Sequence, residues 1–270
     1  MKLQGKHAVI TGASSGIGEA LARELGRAGC KVTVVARRRE LLDKLATEIG
    51  ANCLPIAHDL SSPARAFEWI GPAEAQHGPI DILINNAGMA HTGPSVEASP
   101  ELVSTLLNLN FVVPILVTRH VLPQMLSRNE GAIVNVASVA ALVPTPWQTY
   151  YSATKAGLGG FSEALRGELQ RTGVGVVTVY PGPVKTPMAE SAYDALGGRT
   201  GMAGAMPEGT PEELAVKVRK AIEKRKARIV YPAAYSTSRW FPNFGRWILD
   251  RAAPGVMQKA LEGRRGDDKK

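Results

Sequence analysis

Along the chain, short apolar runs alternate with segments whose apolar positions recur every three or four residues. His7-Ala8-Val9-Ile10-Thr11 is the first run and reads as a buried strand. Ala20, Leu21, Ala22, Leu25 and Ala28 follow as a helical stripe that Gly29 ends. Lys31 to Ala36 is the next strand. Continued along the sequence, the pattern predicts strands near 6–11, 31–36, 53–57, 80–85, 131–137, 174–180 and 228–231, with helices between them. This alternation implies an α/β fold: a doubly wound, Rossmann-like parallel sheet covered on both faces. Ligands of such a sheet bind beyond the carboxyl ends of its strands. A single domain is expected over 1–231, with 232–270 as a C-terminal helical extension packed on that domain or on a partner subunit.

The end of the chain departs from this rhythm. Pro187 to Gly209 is rich in Ala, Gly and Met, including Met188, Met202 and Met206 with Tyr193, and reads as a loop. Its glycines make a poor helix. Thr210-Pro211-Glu212-Glu213 is a strong helix start, with Thr as N-cap and Pro at the first helical position, and the helix should run to about Lys226. Trp240, Phe241, Phe244, Trp247 and Ile248 then crowd among Arg239, Arg246 and Arg251, and Val256, Met257 and Leu261 follow beyond Pro254. This basic amphipathic segment fits a cover over the substrate entrance, a contact with a second subunit, or an anionic membrane surface. The first two are the favoured expectation.

Composition narrows the class. The 270 residues suffice for one large α/β domain, and a hydrophobic content of 44% is ordinary for a globular chain. No apolar leader and no run of the roughly 18 apolar residues needed to span a bilayer is evident, so a cytoplasmic protein is expected. Cys30 and Cys53 show no metal-ligand spacing and read as buried thiols. The net charge of +8 is not interleaved with aromatics in a nucleic-acid-binding motif, so no nucleic-acid partner is expected, and no metal.

Candidate chemistry begins at the first turn. Gly12-Ala13-Ser14-Ser15-Gly16-Ile17-Gly18 lies where a strand becomes a helix within one βαβ unit. There glycines permit a tight turn and close approach of backbone to a pyrophosphate, and the helix N-terminus offers free N–H groups. At the end of the second strand, nineteen residues past Gly18, stands Arg37, followed by Arg38, where an acid would favour NAD. Arginine grips a phosphate through several N–H groups, so Arg37 and Arg38 point to the 2′-phosphate of NADP(H). A solvated basic helix start is the alternative.

Further on, Tyr151 and Lys155 stand four residues apart, on one face of a helix, with Ser138 just past the strand ending at Ala137. An ammonium beside a phenol is expected to lower the tyrosine pKa and make it a usable acid/base, with the Ser138 hydroxyl holding a substrate oxygen. Tyr150 is a rival, but the residue four after it is Thr154, which carries no charge. Ser138 could otherwise be an ordinary strand-end hydroxyl, and Asp59, in Asp59-Leu60-Ser61-Ser62-Pro63, a helix cap.

Taken together, these motifs resemble the short-chain dehydrogenase/reductase family, from Thr11 to Thr186. The resemblance implies an Asn110, Ser138, Tyr151 and Lys155 catalytic tetrad. In it Asn110 holds a water linking Lys155 to solvent, and Lys155 hydrogen-bonds the nicotinamide ribose. Read alone, Asn110 would be a helical asparagine bonding its own backbone. It also implies that Asp59 and Leu60 lie against the adenine, and that Asn86, Ala87 and Gly88 (after Asn85) follow the fourth strand beside the cofactor. Pro181, Gly182, Val184 and Thr186 would hold the nicotinamide carboxamide, and about 187–209 would be a substrate lid. The activity implied is reversible hydride transfer between NADP(H) and a carbonyl or secondary alcohol, by a homodimer or homotetramer joined through helices around Leu102–Met125 and Tyr151–Gln170. The apolar lid suggests an apolar substrate. Two rivals are a redox-sensing regulator that binds NADP(H) without turnover, and a lipid or ketoacyl reductase at a membrane surface.

Overall fold

The computed structural model describes residues 1–199 and 206–251. Seven strands lie within one or two residues of the predicted positions: β1 (His7–Thr11), β2 (Lys31–Ala36), β3 (Cys53–Ala57), β4 (Ile82–Asn85), β5 (Gly131–Val136), β6 (Val174–Pro181) and β7 (Arg228–Tyr231). They form one parallel sheet in the order β3-β2-β1-β4-β5-β6-β7. Successive side chains alternate faces. Ala8 and Ile10 of β1 join Val32, Val34, Ile82, Ile84 and Val134 in one core layer. Val9 joins Val35, Leu83, Ile133 and Val176 in the other, with Trp69 and Met125. Burial on both faces explains why β1 carries no solvent-facing polar alternation.

The helices that matter for the cleft are α1 (Gly16–Arg27), α2 (Arg39–Ile49), α4 (Pro100–Leu107), α5 (Val113–Ser127), α6 (Thr149–Glu168), α7 (Pro187–Ala195) and α8 (Pro211–Glu223). A short α3 (Ile70–His77) precedes β4. The chain leaves β1 for β2 on one side and reaches β4 on the other. The carboxyl ends of β1 and β4 therefore open a crevice where the strand order reverses.

Three expectations change here. The first is α7: Pro187–Ala195 is helical, where the sequence reading gave a loop. Thr186 is its N-cap, accepting from the Ala189 N–H, and Pro187 occupies the first helical position, the same start seen at Thr210 and Pro211. Gly197 and Gly198, both at positive φ, follow its end. Met202 and the rest of 200–205 lie outside the described residues, as do Val256, Met257 and Leu261.

The second concerns 100–127. The α4–α5 run forms 28 continuous helical residues that are long and apolar enough to cross a bilayer, contrary to the expectation that no such stretch exists. Its packing gives another reason for the apolar content. Leu106, Val113, Val117, Val121 and Met125 are buried in this protein's own core, against the sheet.

The third is 232–251, where the structure separates backbone packing from side-chain burial. Tyr235 lies over Gly182 and donates its hydroxyl hydrogen bond to the Pro207 carbonyl at 3.1 Å. Residues 242–251 are helical, and Gly245 sits against Val143. Yet Trp240, Phe241, Phe244, Trp247 and Ile248 are all exposed.

Candidate active site

The glycine turn is locked to the loop after β4. The Thr11 hydroxyl donates to the Ile84 carbonyl and accepts the N–H groups of Asn86 and Ala87 at 3.0 and 3.1 Å. The Asn86 amide returns hydrogen bonds to the carbonyls of Thr11 and Gly12 at 2.9 and 3.2 Å. Two glycines are required by this contact. Gly12 has φ +67°, and a methyl there would lie 2.7 Å from Ala87 Cα. A methyl on Gly18 would lie 2.5 Å from Asn86 Nδ2 and closer still to the Gly12 carbonyl. The start of α1 is thus pressed onto the turn, with its first N–H groups facing the crevice.

Arg38 bridges the mouth of this turn. Its guanidinium donates to the hydroxyls of Ser14 and Ser15 at 2.9 and 2.8 Å. Arg37 lies close enough to Asp59 to help hold that carboxylate below its ordinary pKa, after the larger effect of the Ser61 N–H, which donates to Asp59 at 3.0 Å. Asp59 therefore closes a turn with Ser61; the short helix after it starts from Ser62, whose side chain makes no capping hydrogen bond. Arg39 turns away and pairs with Asp43 at 2.8 Å.

At the other end of the crevice, β5 delivers Ser138 and α6 delivers Tyr151 and Lys155. The Ser138 hydroxyl accepts from the Ala140 N–H at 3.1 Å and contacts the Tyr151 phenol. Lys155 is 4% exposed; its ammonium donates to the Val136 carbonyl at 2.8 Å and lies 5.9 Å from the Tyr151 ring centroid. Tyr150 points elsewhere, donating to the Ser95 carbonyl at 3.1 Å.

The electrostatics differ from the expectation drawn from spacing. Burial pushes the Tyr151 phenol above its ordinary value, and only the Ser138 contact pulls it back. Burial likewise lowers Lys155 from 10.5 to about 8. Spacing alone set the two groups side by side; loss of water acts on each more strongly than their mutual attraction.

Asn110 also departs from the helix-interior reading. It is fully buried in a π-helical stretch, Asn108–Val112, between α4 and α5. Pro114 lacks the N–H that an uninterrupted α-helix would direct at the Asn110 carbonyl. Its side chain bonds neither its own turn nor solvent: the amide donates to the Met89 carbonyl and Thr154 hydroxyl at 2.9 and 3.1 Å and accepts the Met89 N–H at 2.9 Å. A methyl on Gly88 would lie 3.0 Å from Asn110 Oδ1 and 3.4 Å from Lys155 Nζ.

One cleft of about 550 Å³ joins both ends. Gly12, Ser14, Ser15, Gly16, Ile17, Arg37, Arg38, Asp59 and Leu60 line one side. Asn86, Ala87, Gly88, Ser138, Tyr151, Lys155, Pro181, Gly182, Val184 and Thr186 line the other. Gly18 and Asn110 stand behind the wall. Met188, Tyr193 and Met206 also face the cleft. Sequence reading missed Met89, Leu109, Thr145 and Gln148, which line it too. Gln148 had a signal, one position before the helix that carries Tyr151.

With this geometry in hand, comparison with known proteins is decisive. Residues 6–197 match the family model described as short chain dehydrogenase. The chain belongs to the short-chain dehydrogenase family. A short-chain dehydrogenase of Pseudocercospora fijiensis is 41% identical over 190 residues, covering 68% of this chain and 62% of that protein, so the match spans under two thirds of that relative's length. Among solved structures, an actinorhodin polyketide ketoreductase with NADPH superposes with a TM-score of 0.77 at 32% identity, covering 84% of this chain and 95% of the other. The Brucella melitensis 3-ketoacyl-(acyl-carrier-protein) reductase with NADH gives 0.76 at 29% identity, covering 85% and 97%. This short-chain dehydrogenase is an oxidoreductase whose structural neighbours carry nicotinamide cofactors of both kinds.

Proposed function

We propose that the protein is an NADP(H)-dependent oxidoreductase interconverting a carbonyl and a secondary alcohol on an apolar substrate. The observation that carries this reading is the meeting of Ser138, Tyr151 and Lys155 with the glycine turn in a single cleft. The cofactor site fits on its own terms. Gly12 and Gly18 leave no room for a side chain, and Arg38 holds its guanidinium over the Ser14 and Ser15 hydroxyls. Arg37 and Arg38 supply positive charge for a 2′-phosphate, and no acid competes for it at the end of β2.

When bound, the nicotinamide accepts or donates the hydride. The protein's own groups manage the proton and the oxygen. In the reductive direction, Tyr151 enters protonated, as its raised pKa requires, and gives its proton to the oxygen of the substrate. Ser138 holds that same oxygen while charge grows on it. Lys155, still charged below about pH 8, stabilises the phenolate that remains. Asn110 fixes the Met89 backbone and Thr154 next to Lys155, so the lysine has a rigid neighbour. Met188, Tyr193 and Met206 give the open side of the cleft an apolar lining suited to an apolar substrate.

Purified protein incubated with NADPH and a panel of ketones, aldehydes and quinones, followed at the nicotinamide absorbance band, tests the proposal. Consumption of NADPH with an apolar member is the expected result. Tight NADPH binding without turnover across the panel would reject the enzyme and favour a redox-sensing regulator.

A further inference from the structure

We infer that 239–251 docks the protein on an anionic phospholipid bilayer, with the mouth of the cleft beside the lipid. The helical run 242–251 is built the opposite way from a core helix. Its small residue, Gly245, is set against Val143, and a methyl there would lie 2.9 Å from the valine. Its large residues, and the two aromatics just before it, face outward. Trp240 is 73% exposed, Phe241 66%, Phe244 61% and Trp247 51%. Within the helical run, Phe244, Trp247 and Ile248 are three and four residues apart and share one face; Trp240 and Phe241 stand at the break just before it. Phe244 and Trp247 stack at 5.8 Å, forming a continuous aromatic surface.

The charges on this surface choose the occupant. Arg239 lies over the Trp240 ring at 5.3 Å, and Arg251 over Trp247 at 3.8 Å. Arg246 is exposed on the same segment, where Asp250 is the one acid among 239–251. A second copy joined through this patch by a two-fold axis would crowd both sets of arginines into one interface, with Asp250 the one acid that each segment brings. An anionic lipid surface complements all three arginines, and indole rings suit the boundary between headgroups and acyl chains. Arginines folded over tryptophans also match side chains that bury their apolar parts and keep their charge at the headgroups.

Position ties the patch to the cleft. The turn just before the segment, Ala233–Ser236, reaches the cleft wall through Tyr235, which covers Gly182 and bonds Pro207. Gly182 and the neighbouring Met206 line the cleft. A bilayer touching Trp240 to Ile248 would therefore stand next to the substrate entrance. Delivery of a lipid-dissolved carbonyl compound follows only if the redox reading above holds; docking itself does not depend on it.

Flotation of the full chain with phosphatidylcholine vesicles, with and without phosphatidylglycerol, reads docking with no turnover involved. Binding to the anionic vesicles, weakened by high salt, is the expected result. The triple variant Arg239→Gln/Arg246→Gln/Arg251→Gln should bind about a hundredfold more weakly, at roughly a tenfold loss or less per arginine. Phe244→Glu/Trp247→Glu should abolish flotation while leaving the thermal midpoint unchanged, because both side chains are exposed. Absence of flotation, or equal binding by the variants, would overturn the proposal. So would self-association in sedimentation velocity that the Phe244→Glu/Trp247→Glu pair removes, since that would assign the face to a second subunit.

Discussion

Replacement of Lys155 with methionine should make the protein more stable and inactive. Burial lowers the lysine from 10.5 to about 8, a difference worth about 3 kcal/mol. At pH 7 the group is still charged, so folding carries that cost in full. Methionine fills a similar volume without charge. It also loses the hydrogen bond to the Val136 carbonyl, worth about 1 kcal/mol. The net gain is about 2 kcal/mol, or roughly 4–8 °C in thermal midpoint for a chain of this size. The pH dependence supplies the sharper check. The native lysine gives up its proton near 8 and the unfolded one near 10.5, so between those values the unfolded state binds more protons. Wild-type stability therefore rises with pH across that window relative to Lys155→Met, and the gap closes. Chemical denaturation of both proteins at pH 7, 8, 9 and 10 measures it. A variant less stable than wild type at pH 7, or a gap that does not move with pH, would refute the reasoning that a cation is kept here at the expense of the fold.

Other outcomes follow from single contacts. Arg37→Ala/Arg38→Ala should weaken NADPH far more than NADH in equilibrium binding, and equal losses would remove the phosphate contact. Gly18→Ala should cost about 1–3 kcal/mol of stability and weaken NADPH binding, because the new methyl meets backbone at Gly12; unchanged affinity would show that α1 need not press on the turn. His7 is 1% exposed, bonded to the Gly78 carbonyl at 2.7 Å and Thr33 at 2.9 Å, and burial lowers it to about 4. The unfolded ring takes its proton near 6.5, so stability should fall by up to about 3 kcal/mol as pH drops from 6.5 to 4. His7→Gln should flatten that acid limb in denaturant titrations, and an equally steep limb would place the loss elsewhere.

Legibility in the sequence followed the range of each interaction. The strands were readable because a parallel sheet buried on both faces demands continuous apolar runs, and turn residues bound each one. Local spacing also brought Tyr151 and Lys155 to one helix face and put Ser138 at a strand end. What spacing could not show was solvation. The burial that raises Tyr151 and lowers Lys155 depends on how the chain packs around them, which residue spacing does not encode. The partners of Asn110 are hidden for the same reason, since Met89 and Thr154 are distant in sequence. A polar chain beneath the site, Thr118 to Asn85 to Asn135 to Ser162 to Thr178, is likewise invisible in spacing, with links of 2.8–3.1 Å between buried side chains. The helix α7 was legible and was missed: Thr186 and Pro187 repeat the start that identified Pro211–Glu223, but the Ala and Gly content outweighed it. The outward aromatics after Trp240 were readable as amphipathic, while which side faces the body depends on Gly245 meeting Val143.

The most direct measurement is the rate of NADPH consumption by Tyr151→Phe at saturating cofactor, beside its NADPH dissociation constant. The proposed chemistry predicts unchanged cofactor affinity and a rate lower by about 10²–10⁴ or more, the loss expected for an absent proton donor. A variant that still reduces the substrate at the wild-type rate would contradict it.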